Sequence, residues 1–87
     1  MRLTTEKFEI ISAGNVYQVR ATEYINGSNE LRYRVSYNNN PVCVFGWNDD
    51  LNRFAVMHDS RNPSIHPEIE NGIARKLENI QAMKQAA

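Results

Sequence analysis

The chain has a single cysteine, Cys43, so no disulfide can form within it. A small domain without crosslinks is held by its core alone, and a reducing, cytoplasmic setting is the expectation. Metal-ligand spacing is just as scarce. The two histidines, His58 and His66, lie near Asp59 and Glu68 without the pattern a four-ligand zinc site needs. No metal and no cofactor is therefore expected. There is no glycine-rich phosphate loop, no G-x-S-x-G, no C-x-x-C and no H-E-x-x-H, so the common catalytic signatures are missing. Apolar runs never exceed a few residues. That excludes a bilayer-spanning helix and leaves no signal-peptide core near the N-terminus. Net charge is missing too, since ten Lys+Arg balance ten Asp+Glu. A general nucleic-acid binder usually carries a basic surplus, because phosphate neutralisation supplies most non-specific affinity. The balance argues against that class for the chain as a whole, but leaves room for a local basic patch.

What is present is a change of hydrophobic period near Pro67. Before it, apolar residues alternate with polar ones in five short runs. After it, they recur every third or fourth position. Period two lays one face of a strand on a core, and period 3.6 does the same for a helix. With 87 residues and 41% hydrophobic content, the pattern predicts one α+β domain over residues 1–87. Its expected parts are a five-stranded antiparallel β-meander of about residues 6–58, a loop over 59–66 broken by Pro63, and one C-terminal α-helix of about 67–85 packed across one face. Consecutive strands joined by short turns give the order 1-2-3-4-5. No internal repeat or low-complexity tract interrupts the chain; Asn38–Asn39–Asn40–Pro41 reads as a turn.

Turn chemistry sets the expected registers. Gly14–Asn15 suits a type II′ hairpin, pairing Ser12 with Tyr17, Ile10 with Val19, Phe8 with Ala21 and Glu9 with Arg20. Gly27–Ser28–Asn29 suits a three-residue loop with Asn29 left-handed, pairing Ile25 with Leu31, Ala21 with Val35 and Val19 with Tyr37. For the third and fourth strands, the register that buries Phe45 and Trp47 beside Tyr33 and Val35 removes far more apolar area than the alternative, which buries Val42, Val44 and Gly46. The four-residue turn Asp49–Asn52 then sets Phe54 beside Trp47, Val56 beside Phe45 and His58 beside Cys43. Pro67 fits the first helical position, with Glu68 and Glu70 in the first turn and His66 or Ser64 as cap. The expected core is Phe8, Ile10, Tyr17, Val19, Ala21, Ile25, Leu31, Tyr33, Val35, Phe45, Trp47, Phe54, Val56, Ile69, Ile73, Leu77 and Ile80. The outer side of the helix is assigned Arg75, Lys76, Glu78, Asn79, Gln81 and Lys84.

One helix covers one sheet face, so the other face is the expected place for function. It carries Arg20, Tyr24, Arg32 and Arg34 at one side and Val42, Val44 and Met57 at the other. Arginine and tyrosine concentrate energy at interfaces, and the apolar group supplies dry contact. The expectation is a small non-enzymatic binding module that contacts another protein, or itself as a homodimer, through this helix-free face. The alternative is a single-stranded nucleic-acid-binding module, with arginines on phosphates and an aromatic stacked on bases. In architecture alone, a meander backed by a terminal helix is similar to the PUR and Whirly single-strand-binding folds, and that resemblance implies the same alternative. Enzymatic chemistry would have to fall to Cys43 and His58, which the register brings to neighbouring strands. Glu6 and Glu23 are expected near each other at the far end of the sheet, beside Tyr33, as a solvated rim.

Overall fold

The computed structural model describes residues 5–38, 42–57 and 65–86. Five antiparallel strands form one sheet in the order β1-β2-β3-β4-β5. They are β1 (Thr5–Ser12), β2 (Asn15–Ile25), β3 (Leu31–Tyr37), β4 (Cys43–Asn48) and β5 (Arg53–Val56), followed by the helix α1 (Pro67–Ala86). The α+β meander with a terminal helix stands as the sequence predicts.

The three later registers also stand. Ile25 pairs with Leu31 and Val19 with Tyr37. Tyr33 pairs with Phe45 and Val35 with Cys43. Trp47 pairs with Phe54 and Phe45 with Val56. Asn29 is left-handed at φ 63°, and the Asn26 side chain accepts from the backbone N–H of Ser28 and of Glu30, each at 2.9 Å. In the turn before β5, Asn48 Oδ1 accepts from Leu51 N–H at 3.0 Å. The positions of His58 and Pro63 and the Asn39–Pro41 segment lie outside the described residues.

The first hairpin differs. Its turn is Ala13–Gly14, with both residues at positive φ, 51° and 79°. Two positive φ values define type I′, whose twist matches the flanking strands as well as II′ does. Ser12 therefore pairs with Asn15, Ile10 with Tyr17, Phe8 with Val19, Lys7 with Arg20 and Glu9 with Gln18. The slip from the expected register is two residues, so every side chain keeps its face while every partner changes.

The helix packs chiefly on β5 and β1, the two edge strands. The central strands lie farther from the helix than these two borders do. The sheet curls, and α1 lies in its concave side. Val19, Ala21, Tyr33, Val35, Cys43 and Phe45 are buried beneath Ile69, Ile73, Ala74 and Leu77. Gly72 faces Ile10: a Cβ there would meet Ile10 Cδ1 at 3.3 Å, so the missing side chain brings helix and β1 close together. His66 caps the helix, its Nδ1 accepting from Glu68 N–H at 3.2 Å and its carbonyl from Glu70 N–H at 2.9 Å.

Two expected core residues lie at the rim instead. Ile25 is exposed, and Trp47 points to the concave side yet remains 41% exposed, its ring edge-on to Phe54 at 5.4 Å. Phe54 and Tyr33 make a second edge-on pair at 5.7 Å. Phe8, Tyr17, Leu31, Val56 and Ile80 are half-buried against the core. Trp47 borders an open groove with Leu31, Phe54, Gln81 and Ala82, so the row's last member stays wet.

Candidate binding face

Strand alternation sends one set of side chains to the convex side, away from the helix. There Tyr24 stands opposite Arg32, Arg32 opposite Gly46, and Gly46 opposite Ala55. The adjoining row is Thr22, Arg34 and Val44, closed by Met57, whose N–H donates to Val44 carbonyl at 2.9 Å. Next come Lys7, Arg20 and Ser36. The register thus brings Arg20, Tyr24, Arg32, Arg34, Val44 and Met57 onto one continuous surface. Val42, just before β4, is 55% exposed and adds an apolar margin.

These groups are not equally free. The Arg34 guanidinium lies over the Tyr24 ring, 4.9 Å from its centroid, which fixes both side chains. The Arg32 side chain is only 13% exposed. Gly46 leaves the hollow that Arg32 fills: a Cβ at Gly46 would sit 2.9 Å from Arg32 Cδ and 2.7 Å from Met57 Sδ. Arg32 donates to Leu31 carbonyl at 2.9 Å and pairs with Glu30 at 3.3 Å. Its charge is engaged within the fold, whereas Arg20 and Arg34 are exposed. A shallow polar depression lined by Gln18, Arg20, Ser36 and Asn38 adjoins them.

Charge is sorted by side. Among the described residues, the convex strand positions carry Lys7, Arg20, Arg32, Arg34 and Arg53 against Glu9, with Glu30, Asp49 and Asp50 in the turns beside them. Five cations less one carboxylate leave an excess of four on these strand positions, while the described residues together carry eight Lys+Arg against nine Asp+Glu. Lys7 lies directly opposite Arg20, a like-charge pair that costs stability. Packing alone does not account for that arrangement. The Lys7–Arg20 pair was not legible in the sequence, because the two-residue slip replaced it with Glu9–Arg20.

A second set of polar groups ties the helix to the sheet. Tyr33 OH donates to Glu23 at 3.3 Å, Gln81 Nε2 donates to Tyr33 OH and to Glu23 at 3.2 Å, and Lys84 Nζ reaches Glu23 at 2.6 Å. Burial pushes the Tyr33 phenol up, and the hydrogen bond to Glu23 holds the Lys84 ammonium above its ordinary value. Gln81 and Lys84, assigned to the outer side of the helix, instead tie its C-terminal half to β2 and β3. Glu6 pairs with Ala21 in the ladder. The Cys43 thiol donates to Val35 carbonyl at 3.6 Å, and burial pushes it up to about 11. A thiol that stays protonated at neutral pH is a poor nucleophile. Among the described residues no group of three His, Cys, Asp or Glu side chains is placed to hold a metal ion, and no helix is long and apolar enough to cross a membrane.

The class defined here is a small α+β protein: a curled antiparallel meander with a helix in its concave side. No protein-family model, curated protein or solved structure matches the chain.

Proposed function

We propose that the protein is a non-enzymatic binding module that holds an acidic surface of another protein against its convex, helix-free face. The observation that carries this reading is the sorting of charge: a neutral chain concentrates a cationic excess on the side that the helix leaves bare. Complementary potential speeds encounter and sets orientation. Arg20 and Arg34 are the exposed contacts, and Tyr24 holds Arg34 in place before any partner arrives. Val42, Val44 and Met57 supply the apolar part of the patch.

The same charge argues against a second copy meeting this face with its own, because cation would oppose cation. It is compatible with a single nucleic-acid strand, but stacking needs exposed aromatic rings. Phe45 is buried and Trp47 points to the concave side, which leaves Tyr24 alone beneath an arginine.

The test is capture from lysate identified by mass spectrometry, followed by calorimetry with the purified partner. Replacing Arg20 and Arg34 together by Glu should weaken binding by about tenfold or more, while Arg75→Glu on the exposed side of the helix leaves it unchanged. Equal binding by all three proteins sinks the reading. Retention of a labelled single strand at low salt, released steeply as salt rises, would replace it with the nucleic-acid alternative.

A further inference from the structure

The two borders of the sheet are finished differently. In the β2–β3 pair the even-numbered residues of β2 exchange the ladder hydrogen bonds, as Asn38 N–H to Gln18 carbonyl at 2.9 Å shows. The odd-numbered residues of β2 therefore bond to β1, and their partners in β1 are Glu6, Phe8, Ile10 and Ser12. The backbone N–H and C=O groups of Thr5, Lys7, Glu9 and Ile11 point away from the sheet. The same counting leaves Phe54 and Val56 facing outward from β5. There two of the four outward groups are engaged within the chain: Glu70 accepts from Val56 N–H at 2.9 Å, and Arg53 donates to Phe54 carbonyl at 2.9 Å. Among the described residues, no group caps the outward amides of β1 in this way. An eight-residue edge strand left open is a template for another strand.

We infer that β1 pairs antiparallel with β1 of a second copy across a two-fold axis, joining two sheets into one. This does not rest on the convex-face reading: it uses the open backbone edge of β1, although Lys7 and Glu9 also border that face. The sequence of the edge chooses both the occupant and the register. Only outward-facing residues can exchange hydrogen bonds, so the candidate registers differ in steps of two. If Lys7 faces Lys7 of the second copy, or Glu9 faces Glu9, like charges sit directly opposite each other. In the register between these, Phe8 lies on the axis and Lys7 faces Glu9 of the second copy, twice by symmetry. Opposite charges directly across a ladder attract, and a self-complementary pattern is what an isologous two-fold contact requires. Thr5 then faces Ile11 of the second copy, which is 76% exposed in the single chain. The pairing also sets Lys7, crowded by Arg20 within its own sheet, beside a carboxylate. At this border a groove is lined by Phe8, Ile80 and Met83 together with Glu6, Lys7, Lys76 and Asn79. Two such grooves meet at the axis and bury their apolar side chains together.

Sedimentation equilibrium of the full chain over a dilution series should show a species of twice the 10.0 kDa chain mass at high concentration. Lys7→Glu alone and Glu9→Lys alone should each raise the dissociation constant about tenfold or more, and the two together should restore it. Neither change alters the backbone ladder to β2, but Glu9→Lys removes the hydrogen bond from Gln18 and Lys7→Glu changes the pair with Arg20, so a thermal melt of each variant reports the fold separately. Amide exchange gives the second readout. Lys7, Glu9 and Ile11 amides should be protected in concentrated samples and lose protection on dilution, while Phe8 and Ile10 remain protected throughout. A monomer at every concentration overturns the inference. So does a dimer that ignores both single swaps, or one dissolved by Arg34→Glu instead.

Discussion

Gly46 shows how a single missing side chain shapes the convex face. The space its Cβ would occupy is filled by Arg32 and Met57. Gly46→Ala should cost on the order of 1 kcal/mol by overpacking, measured as a lower midpoint in chemical denaturation, and should push the Arg32 head outward. Cys43 makes a different kind of contribution. Its folded value lies near 11 against an ordinary 9.0, so the neutral thiol is the form the core accepts. The stability it adds is complete below pH 9 and is lost as pH rises through about 11. Two pKa units correspond to at most ~3 kcal/mol. The raised Tyr33 and Lys84 values add to the alkaline loss with the same sign. Unfolding free energy measured across this range should fall steeply for the native chain, and less steeply for Cys43→Ala.

The elements were legible where two constraints agreed, and misread where only one applied. At the β2–β3 connection, the hydrophobic alternation and the Asn29 turn selected the same register. At the β1–β2 connection, alternation could not choose between registers two residues apart, because both bury the same faces. Only the turn decides, and Gly14 occupies its second central position, after Ala13, rather than the first. The core survived this slip, whereas the cross-strand charges did not. In the helix, Ile69, Ile73 and Leu77 recur in steps of four. Continuing that stripe reaches Gln81 and then Lys84, the residues that hold Glu23. Polarity hid their inward position. Curling of the sheet was not legible, because it follows from how long side chains meet around one helix. Glu70 belongs to this scale as well. Its carboxylate sits in the first turn, where the dipole favours it, and accepts the outward amide of Val56. Glu70→Ala should cost about 1–2 kcal/mol in denaturant unfolding and speed exchange at the Val56 amide.

For the molecule as a whole, the candidate face was legible as a list of residues and not as an electrostatic surface. Alternation placed Arg20, Tyr24, Arg32, Arg34, Val44 and Met57 together. The sequence did not show that Arg32 is drawn into the fold, or that Lys7 joins Arg20. Charge sorting between two sides of a neutral chain depends on tertiary structure, and it makes a prediction at this scale. Partner association through the convex face should slow as salt rises, since exposed charges are screened over roughly 8–10 Å at ordinary ionic strength. Stopped-flow association rates that do not change with salt would leave the cationic excess without a role in encounter.

The partial capping of β5 by Glu70 and Arg53 works against strand addition at that border. Strand addition that uses one border alone would end at two chains, and at the far border of each Val56 N–H and Phe54 carbonyl are already engaged within the chain. A chain with both borders bare could stack without limit into fibres. Here the chemistry that opposes such growth is one carboxylate and one guanidinium, each taken from residues that also build the domain.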